Sequence, residues 1–483
     1  MSLQLYDTAT RSVRDFVPRE AGKVGIYLCG VTVQSPPHIG HLRSGVNYDV
    51  LRRWLEYRGL AVRFIRNITD IDDKVLTRAL AEAVPFWTIA YRNERLLDDA
   101  YDAVGVRLPS YEPRATGHIP EIQALIQRLI DRDHAYVTDA GEVYFDVSSY
   151  PDYGALSGQR PDEMRPSEDN AAEVAAPGAL GTISGKRSPL DFALWKGVKP
   201  TEPADAYWPS PWGRGRPGWH IECSAMTWRY LGEEFDIHGG GRDIRFPHHE
   251  NEVAQSKAAG FGFARYWVHN GPLNLAGEKM SKSLGNVVDL PVLQARGLRP
   301  VEVRYYLAAP HYRSVIDYSE AALSEAAAAY RRIEGFVQRA VERVGVVETD
   351  GVVPAGFETV MDDDLNTPQA FALVHETVRA GNTALAAGDD EATRQALGEV
   401  CTMLGVLGLD PLADAPAAGG GDLAGTVDSL VALALAQREA ARVRRDWPAA
   451  DAVRDQLKQA GVLIEDTPRG PRWTLADNPT DGR

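Results

Sequence analysis

The sequence predicts an α/β protein: a parallel-sheet domain split by an insertion, followed by a bundle of helices and a small separate unit at the carboxyl end. Three observations carry that expectation. Residues 24–28 are an apolar run closed by Cys29-Gly30; from Leu42 apolar residues recur at Val46, Val50, Leu51, Trp54 and Leu55 up to Gly59; residues 61–65 are a second apolar run. A helical period between two such runs makes a strand–helix–strand unit, whose strands lie parallel and whose ligands gather at the strand carboxyl ends. From residue 319 to about 409 the pattern changes to long alanine-rich helices, with Leu323, Ala327, Tyr330, Ile333 and Val337 on one face. Residues 411–425, which contain Gly419-Gly420-Gly421, read as a flexible joint before the last unit.

A chain of 483 residues is too long for one ordinary core, and usual domain sizes suggest about three or four units. No apolar run reaches the roughly 18 residues of a membrane span and no charged-then-apolar leader opens the chain, so a cytoplasmic protein without membrane contact is expected. Cys29, Cys223 and Cys401 are scattered, which is no disulfide framework and fits a reducing compartment. The formal charge of −15 argues against a polyanionic partner for the molecule as a whole. Between Arg438 and Arg472, however, eight basic residues stand against six acidic ones, a local +2. That end is the better candidate to face a polyanion, although an ordinary solvated helix face carries such a charge too.

In order, residues 1–23 are a polar lead-in and the parallel sheet begins at 24. After the turn Asp139-Ala140-Gly141, residues 143–147 alternate as a strand does. Residues 160–188, rich in Pro, Ala, Glu, Asp and Gly, read as a connector within the insertion. The sheet is expected to resume by Pro217, and residues 234–238 form a strand running into Gly239-Gly240-Gly241 at a carboxyl end. Asp362, Asp363 and Asp364 are expected to begin and cap a helix of the bundle.

Two stretches carry chemistry. Pro36-Pro37-His38-Ile39-Gly40-His41 lies where the first loop meets its helix, and helix amino termini attract phosphate through unpaired backbone amides. Glu278-Lys279-Met280-Ser281-Lys282-Ser283-Leu284-Gly285-Asn286 is a compact basic loop after an apolar segment. Cys29, Cys223 and the i, i+4 pair His248 and Glu252 make a competent zinc set. From the residues alone His249 could stand for His248, and each cysteine could be a small buried hydrophobe.

The two stretches together resemble the paired signature of class I aminoacyl-tRNA synthetases. The resemblance narrows to the cysteinyl-tRNA synthetase family through Asn67-Ile68-Thr69-Asp70-Ile71-Asp72-Asp73-Lys74, Gly218-Trp219-His220-Ile221-Glu222-Cys223-Ser224, His238-Gly239-Gly240-Gly241 and Phe246-Pro247-His248-His249-Glu250-Asn251-Glu252. It continues through His311-Tyr312-Arg313-Ser314, Asp362-Asp363-Asp364-Leu365-Asn366-Thr367-Pro368 and Asp466-Thr467-Pro468, nearly the whole chain. The loop before His38 departs from it, with Val31 where the family usually has proline and Gln34 where it often has tyrosine.

The resemblance implies a Rossmann-type parallel-sheet catalytic domain (1–125 and 206–295, the second half with the Lys279–Lys282 loop) around a connective insertion (126–205). A stem-contact segment (296–318), a helical bundle (319–410), a linker (411–425) and an anticodon-binding domain (426–483) would follow. It implies ATP and its Mg2+ held by His38, Gly40, His41 and Lys282, with His38, His41, Lys279 and Lys282 stabilising the phosphates in catalysis. It implies one zinc on Cys29, Cys223, His248 and Glu252, and L-cysteine among Thr69, Trp219, His238 and Asp243. The partner would be tRNA(Cys), with Trp447, Asp451 and Arg454, at i, i+4, i+7 on one helix face, reading anticodon bases. A monomer is expected. The nearest rival, a cysteine ligase of mycothiol synthesis, lacks such a tail; a silent nucleotide- or RNA-binding paralogue would not need the intact signature lysines and zinc set.

Overall fold

The computed structural model describes residues 2–160, 185–275, 278–279, 287–348, 351–413, 423–467 and 470–475. They fall into two compact units, Met1–Pro411 and Leu412–Arg483.

The first unit opens on an antiparallel hairpin, β1 (Gln4–Asp7) and β2 (Ser12–Asp15), before β3 (Lys23–Leu28), α1 (Ile39–Tyr57) and β4 (Ala61–Arg66). Then come α2 (Asp73–Glu82), α3 (Phe86–Ala103) and α4 (Ile119–Asp131), strands β5 (Ala135–Val137), β6 (Val143–Phe145), β7 (Phe192–Gly197) and β8 (Gly215–Pro217), and α5 (Trp219–Leu231). β9 (Glu234–Gly241), α6 (Glu250–Ala258) and β10 (Phe263–Asn270) complete the parallel sheet, whose order is β10-β9-β3-β4. The helical period read after Leu42 is α1, although its face is not purely apolar: Arg43, Asn47 and Asp49 are buried with Val46, Val50 and Trp54.

β5–β8 form a separate antiparallel sheet. Its core joins Phe145, Phe192 and Trp195 to Ile122 and Leu125 of α4, Ile221 and Ala225 of α5, and Ala254 and Ala258 of α6. The expectation that the parallel sheet resumes by Pro217 is corrected: β8 is an edge of the antiparallel sheet, which therefore runs past residue 205, and the next parallel strand is β9. Gly215 permits that pairing, since a Cβ there would lie 2.3 Å from Trp195 Nε1 and 2.4 Å from the Lys196 carbonyl.

Short strands β11 (Leu273–Leu275), β12 (Glu278–Lys279) and β13 (Ile316–Tyr318) pair beside α7 (Leu290–Ala295) and α8 (Pro300–Ala308). The bundle is α9 (Glu320–Val344), α10 (Ala355–Asp362), α11 (Thr367–Ala387) and α12 (Asp390–Leu407). Leu323, Ala327, Tyr330, Ile333 and Val337 are buried, as their spacing implied. The aspartates 362–364 do not start a helix: Asp362 ends α10, and Asn366 caps α11 by accepting from the Gln369 amide. Asp364, held at φ 53°, instead accepts from the Tyr6 amide and the Tyr312 hydroxyl and pairs with Arg313.

The second unit contains α13 (Leu423–Val443), α14 (Trp447–Gln459) and an antiparallel hairpin, β14 (Val462–Thr467) and β15 (Gly470–Leu475). Asp446 caps α14 by accepting from the Ala449 amide. No described helix is long and apolar enough to cross a membrane.

One buried guanidinium joins the sheet domain to the bundle. Arg304 of α8 meets Asp49 of α1 at 2.5 Å and donates to the carbonyls of Val104, Gly105 and Leu407. Burial opposes the Asp49 carboxylate, but Arg304 and Arg53 together lower its pKa below the usual value. Asp49→Ala should cost about 3–5 kcal/mol by leaving a buried charge uncompensated, read as a lower unfolding midpoint. Because the folded pKa is depressed, the wild-type contribution is full above the ordinary carboxylate range and fades as pH falls through the folded value. The gap between wild type and variant should therefore narrow in acid.

Candidate active site and metal centre

α1 begins where the loop from β3 closes, and its start is built by imidazoles. His38, with extended backbone (φ −112°, ψ 167°), is the cap: its Nδ1 accepts from the Gly40 amide at 3.1 Å, while His41 Nδ1 accepts from the His38 amide at 3.2 Å. The rings stack at 3.7 Å, 21° apart. Since each Nδ1 accepts, each neutral ring carries its hydrogen on Nε2, which makes that atom a donor suited to phosphate oxygen. Gly40 is required by this packing, because a Cβ there would stand 2.9 Å from His38 Cε1 and Nδ1.

The first turns of α1 also hold both ends of the segment containing the second signature. The Ile39 amide donates to the Val288 carbonyl at 2.9 Å, and Arg43, wholly buried, donates to the Pro272 carbonyl at 2.5 Å and to the carbonyls of Tyr312 and Ser314. Burial lowers the Arg43 pKa to about 10, so it stays charged at neutral pH. Lys279 lies on β12, paired with Asn274; Lys282 lies outside the described residues.

The metal candidates converge. Cys29 follows β3, Cys223 sits on α5, and His248 leads into α6, which carries Glu252; one donor atom from each lies within 4.8 Å of the others, and all four residues are buried. Glu252 Oε1 is 3.2 Å from Cys29 Sγ and 3.1 Å from His248 Nε2, and the two sulfurs are 3.7 Å apart. That separation is far beyond a disulfide bond, and both thiols are free. Burial, with the neighbouring Cys223 and Glu252, pushes the Cys29 thiol well up. Burial also opposes ionisation of Cys223, but hydrogen bonding from Cys29, joined by His248, holds that thiol down at about 6. Two sulfurs, an imidazole and a carboxylate, all buried, suit a thiophilic dication. A second set, Cys29, His238, His249 and Glu252, shares two donors with the first. His249 Nδ1 is engaged by His269 Nε2 at 2.8 Å.

Around the cluster, Trp219 is half-buried and stacks on His248 at 4.2 Å. His238, on β9, meets Glu252 Oε2 at 2.9 Å, and Thr69 is buried with its hydroxyl 3.1 Å from Asn67 Nδ2. Asp243 is exposed on the turn after β9. Sequence reasoning missed His220, whose Nδ1 faces His248 Nδ1 at 3.0 Å; burial, then His248, lowers its pKa well below the usual value. It missed Tyr27 and Arg43 as well. The Trp219–Ser224 stretch held a signal for His220 alone, one residue past the expected pocket wall. In the second unit Trp447 is 58% exposed and Asp451 and Arg454 are exposed, 3.4 Å apart.

The model of the class I (C) tRNA synthetase catalytic domain matches residues 15–328, and that of the DALR domain residues 356–411. A cysteine–tRNA ligase of Streptomyces avermitilis is 58% identical over 481 residues, covering 98% of this chain and 99% of the relative. The chain belongs to the cysteine–tRNA ligase family of class I synthetases. A cysteine–tRNA ligase from a Nocardioides strain is 55% identical over 484 residues, with 99% and 100% of the two chains covered. Among solved structures, Mycobacterium tuberculosis methionyl-tRNA synthetase with methionyl-adenylate aligns with a TM-score of 0.56 at 18% identity, over 80% of this chain and 89% of that one. At that identity it shows the shared fold alone. As a member of the cysteine–tRNA ligase family the chain is an ATP-dependent ligase, and its buried Cys/His/Glu cluster is consistent with a metal site.

Gly40→Ala should displace the His38 ring and slow the ATP-dependent step while leaving bound metal unchanged. Metal analysis alongside single-turnover kinetics checks both halves; an unaltered rate would show that the ring does not need this position.

Proposed function

We propose that the protein joins L-cysteine to ATP as cysteinyl-adenylate and passes the cysteine to the 3′-terminal adenosine of tRNA(Cys). The observation that carries this reading is the buried donor set Cys29, Cys223, His248 and Glu252 at the end of β3, one short loop from His38 and His41. The substrate carboxylate would attack the α-phosphorus and release pyrophosphate, with Mg2+ arriving on ATP. Little covalent help is needed, so positioning and charge neutralisation do most of it. His38 and His41 would donate from Nε2 to phosphate oxygens, and Lys279 and Lys282 would neutralise developing charge.

Zinc is the metal proposed, since a soft dication binds a thiolate directly and a serine hydroxyl poorly. Size and a hydrogen bond alone would separate the two amino acids by only about 1–3 kcal/mol. Trp219, stacked on His248, would form one wall of the amino-acid pocket, with Thr69, His238 and Asp243 as polar neighbours. The domain assignment carries over as part of the proposal, the insertion ending nearer Pro217 than 205.

Trp447, Asp451 and Arg454 are proposed to read anticodon bases; the exposure of all three supports this over a packing role. Trp447→Ala should leave cysteine-dependent ATP–pyrophosphate exchange intact and reduce aminoacylation of tRNA by roughly ten- to a hundredfold, the worth of one stacked base at about 1–3 kcal/mol. Normal charging, or an equal loss in both assays, would refute it. Absence of cysteine-dependent exchange in the wild type would sink the whole reading.

Cys223→Ala should lower both zinc content and cysteine affinity while ATP binding survives, measured by metal analysis and calorimetry. Full occupancy with undiminished preference for cysteine over serine would remove Cys223 from the ligand set.

A further inference from the structure

β3 and β9 run parallel in a register that sets Tyr27 opposite His238, and residues two apart on a strand share a face, so Tyr27 and Cys29 look the same way. Tyr27 has no exposed surface, and its ring lies 5.4 Å from that of His238. Its hydroxyl has no conventional hydrogen-bond partner among the described residues. Burial raises its pKa well above the usual tyrosine value, and Cys223, Cys29 and Glu252 act in the same direction. A phenylalanine would fill the same space without stranding a hydroxyl in an apolar interior, so the oxygen calls for an explanation.

The donor set supplies one. His248 has His220 behind it at 3.0 Å, and the far oxygen of Glu252 has His238 at 2.9 Å. The two sulfurs, by contrast, have within the set each other and Glu252 as hydrogen-bond partners, and among the described residues no residue behind them comparable to His220 or His238. Two thiolates and a carboxylate outweigh the charge of a dication, so the loaded centre is anionic and its sulfurs are strong acceptors. We infer that the Tyr27 hydroxyl is the hydrogen-bond donor to the metal-bound thiolates, above all Cys223, and is a positioning residue of the centre. The inference rests on the metal reading proposed above. By drawing charge from the sulfurs of the chain, the hydroxyl leaves the centre readier to take the thiolate of the substrate.

The test is Tyr27→Phe in the full chain, which removes one oxygen and keeps the ring. Competition against a chromophoric chelator should show zinc held about 10- to 100-fold more weakly than by the wild type. In the cobalt-substituted protein the sulfur-to-metal charge-transfer band should move to lower energy, because a thiolate that loses a donor is easier to oxidise. With metal stripped from both proteins, the variant should melt at the same temperature as the wild type or higher, since no partner is lost. A merely structural tyrosine would do the reverse: lower stability without metal, an unmoved band and unchanged zinc affinity, and that pattern overturns the inference. Wild-type protein that binds neither zinc nor cobalt through sulfur would overturn the metal reading itself, and the inference with it.

Discussion

Glu252 is a carboxylate with no exposed surface, set between His238, His248 and the Cys29 thiol, and the neutralisation of that charge is the constraint around which the catalytic unit is built. An ionised carboxylate taken out of water is costly unless paired or bound to a metal. Each partner reaches it from a different place in the chain: Cys29 from the end of β3, His238 from β9, His248 from the residues leading into α6. The helices α5 and α6 place candidate metal donors on one face and, on another, put Ile221, Ala225, Ala254 and Ala258 into the core of the antiparallel sheet. The insertion is thus no appendage to the site. Its folding fixes the two helices that carry half of the donors.

Buried arginines do comparable work between distant segments by donating to carbonyls rather than by pairing alone. A planar guanidinium with five donors can close several chain ends at once, which a lysine cannot. Arg43 gathers Pro272, Tyr312 and Ser314 against α1, and with the Ile39–Val288 hydrogen bond it ties both flanks of the second signature to the helix of the first. Both flanks are therefore anchored within about one turn of a single helix. Arg304 repeats the device one layer out, where α1, the end of α3 and the end of α12 meet.

The parts of this architecture legible in the sequence are those that a short period encodes. The strands and helix of 24–65, the bundle face of α9 and the i, i+4 pair His248 and Glu252 are each read from spacing within one continuous stretch. What escaped depends on register between remote strands: Tyr27 opposite His238 is set by the pairing of β3 with β9, and His220 reaches His248 only because α5 and α6 pack. Pro217 was assigned to the wrong sheet because a three-residue edge strand has no period to read, and its pairing depends on Gly215 lying against Trp195. The aspartates at 362–364 follow the composition of a cap, but Asp364 is spent on Tyr6, Tyr312 and Arg313, a use no local pattern foretells.

The formal charge of −15 bears on how such a molecule could meet a polyanion. A net field of that sign repels phosphate within the screening length of about 8–10 Å and is largely damped beyond it, so attraction has to be generated by local contacts. At the signature helix the contact proposed above would need no large positive charge: the first-turn amides of Ile39 and Gly40 are engaged by Val288 and His38, and the imidazoles of His38 and His41, held through Nδ1, would offer their Nε2 hydrogens. In the carboxyl-terminal unit the surplus between Arg438 and Arg472 is only +2, and stacking on an exposed ring such as Trp447 is insensitive to net charge. Recognition arranged in this way is strong where shape and donors match and weak elsewhere, because no general electrostatic pull is available to reward an incorrect fit.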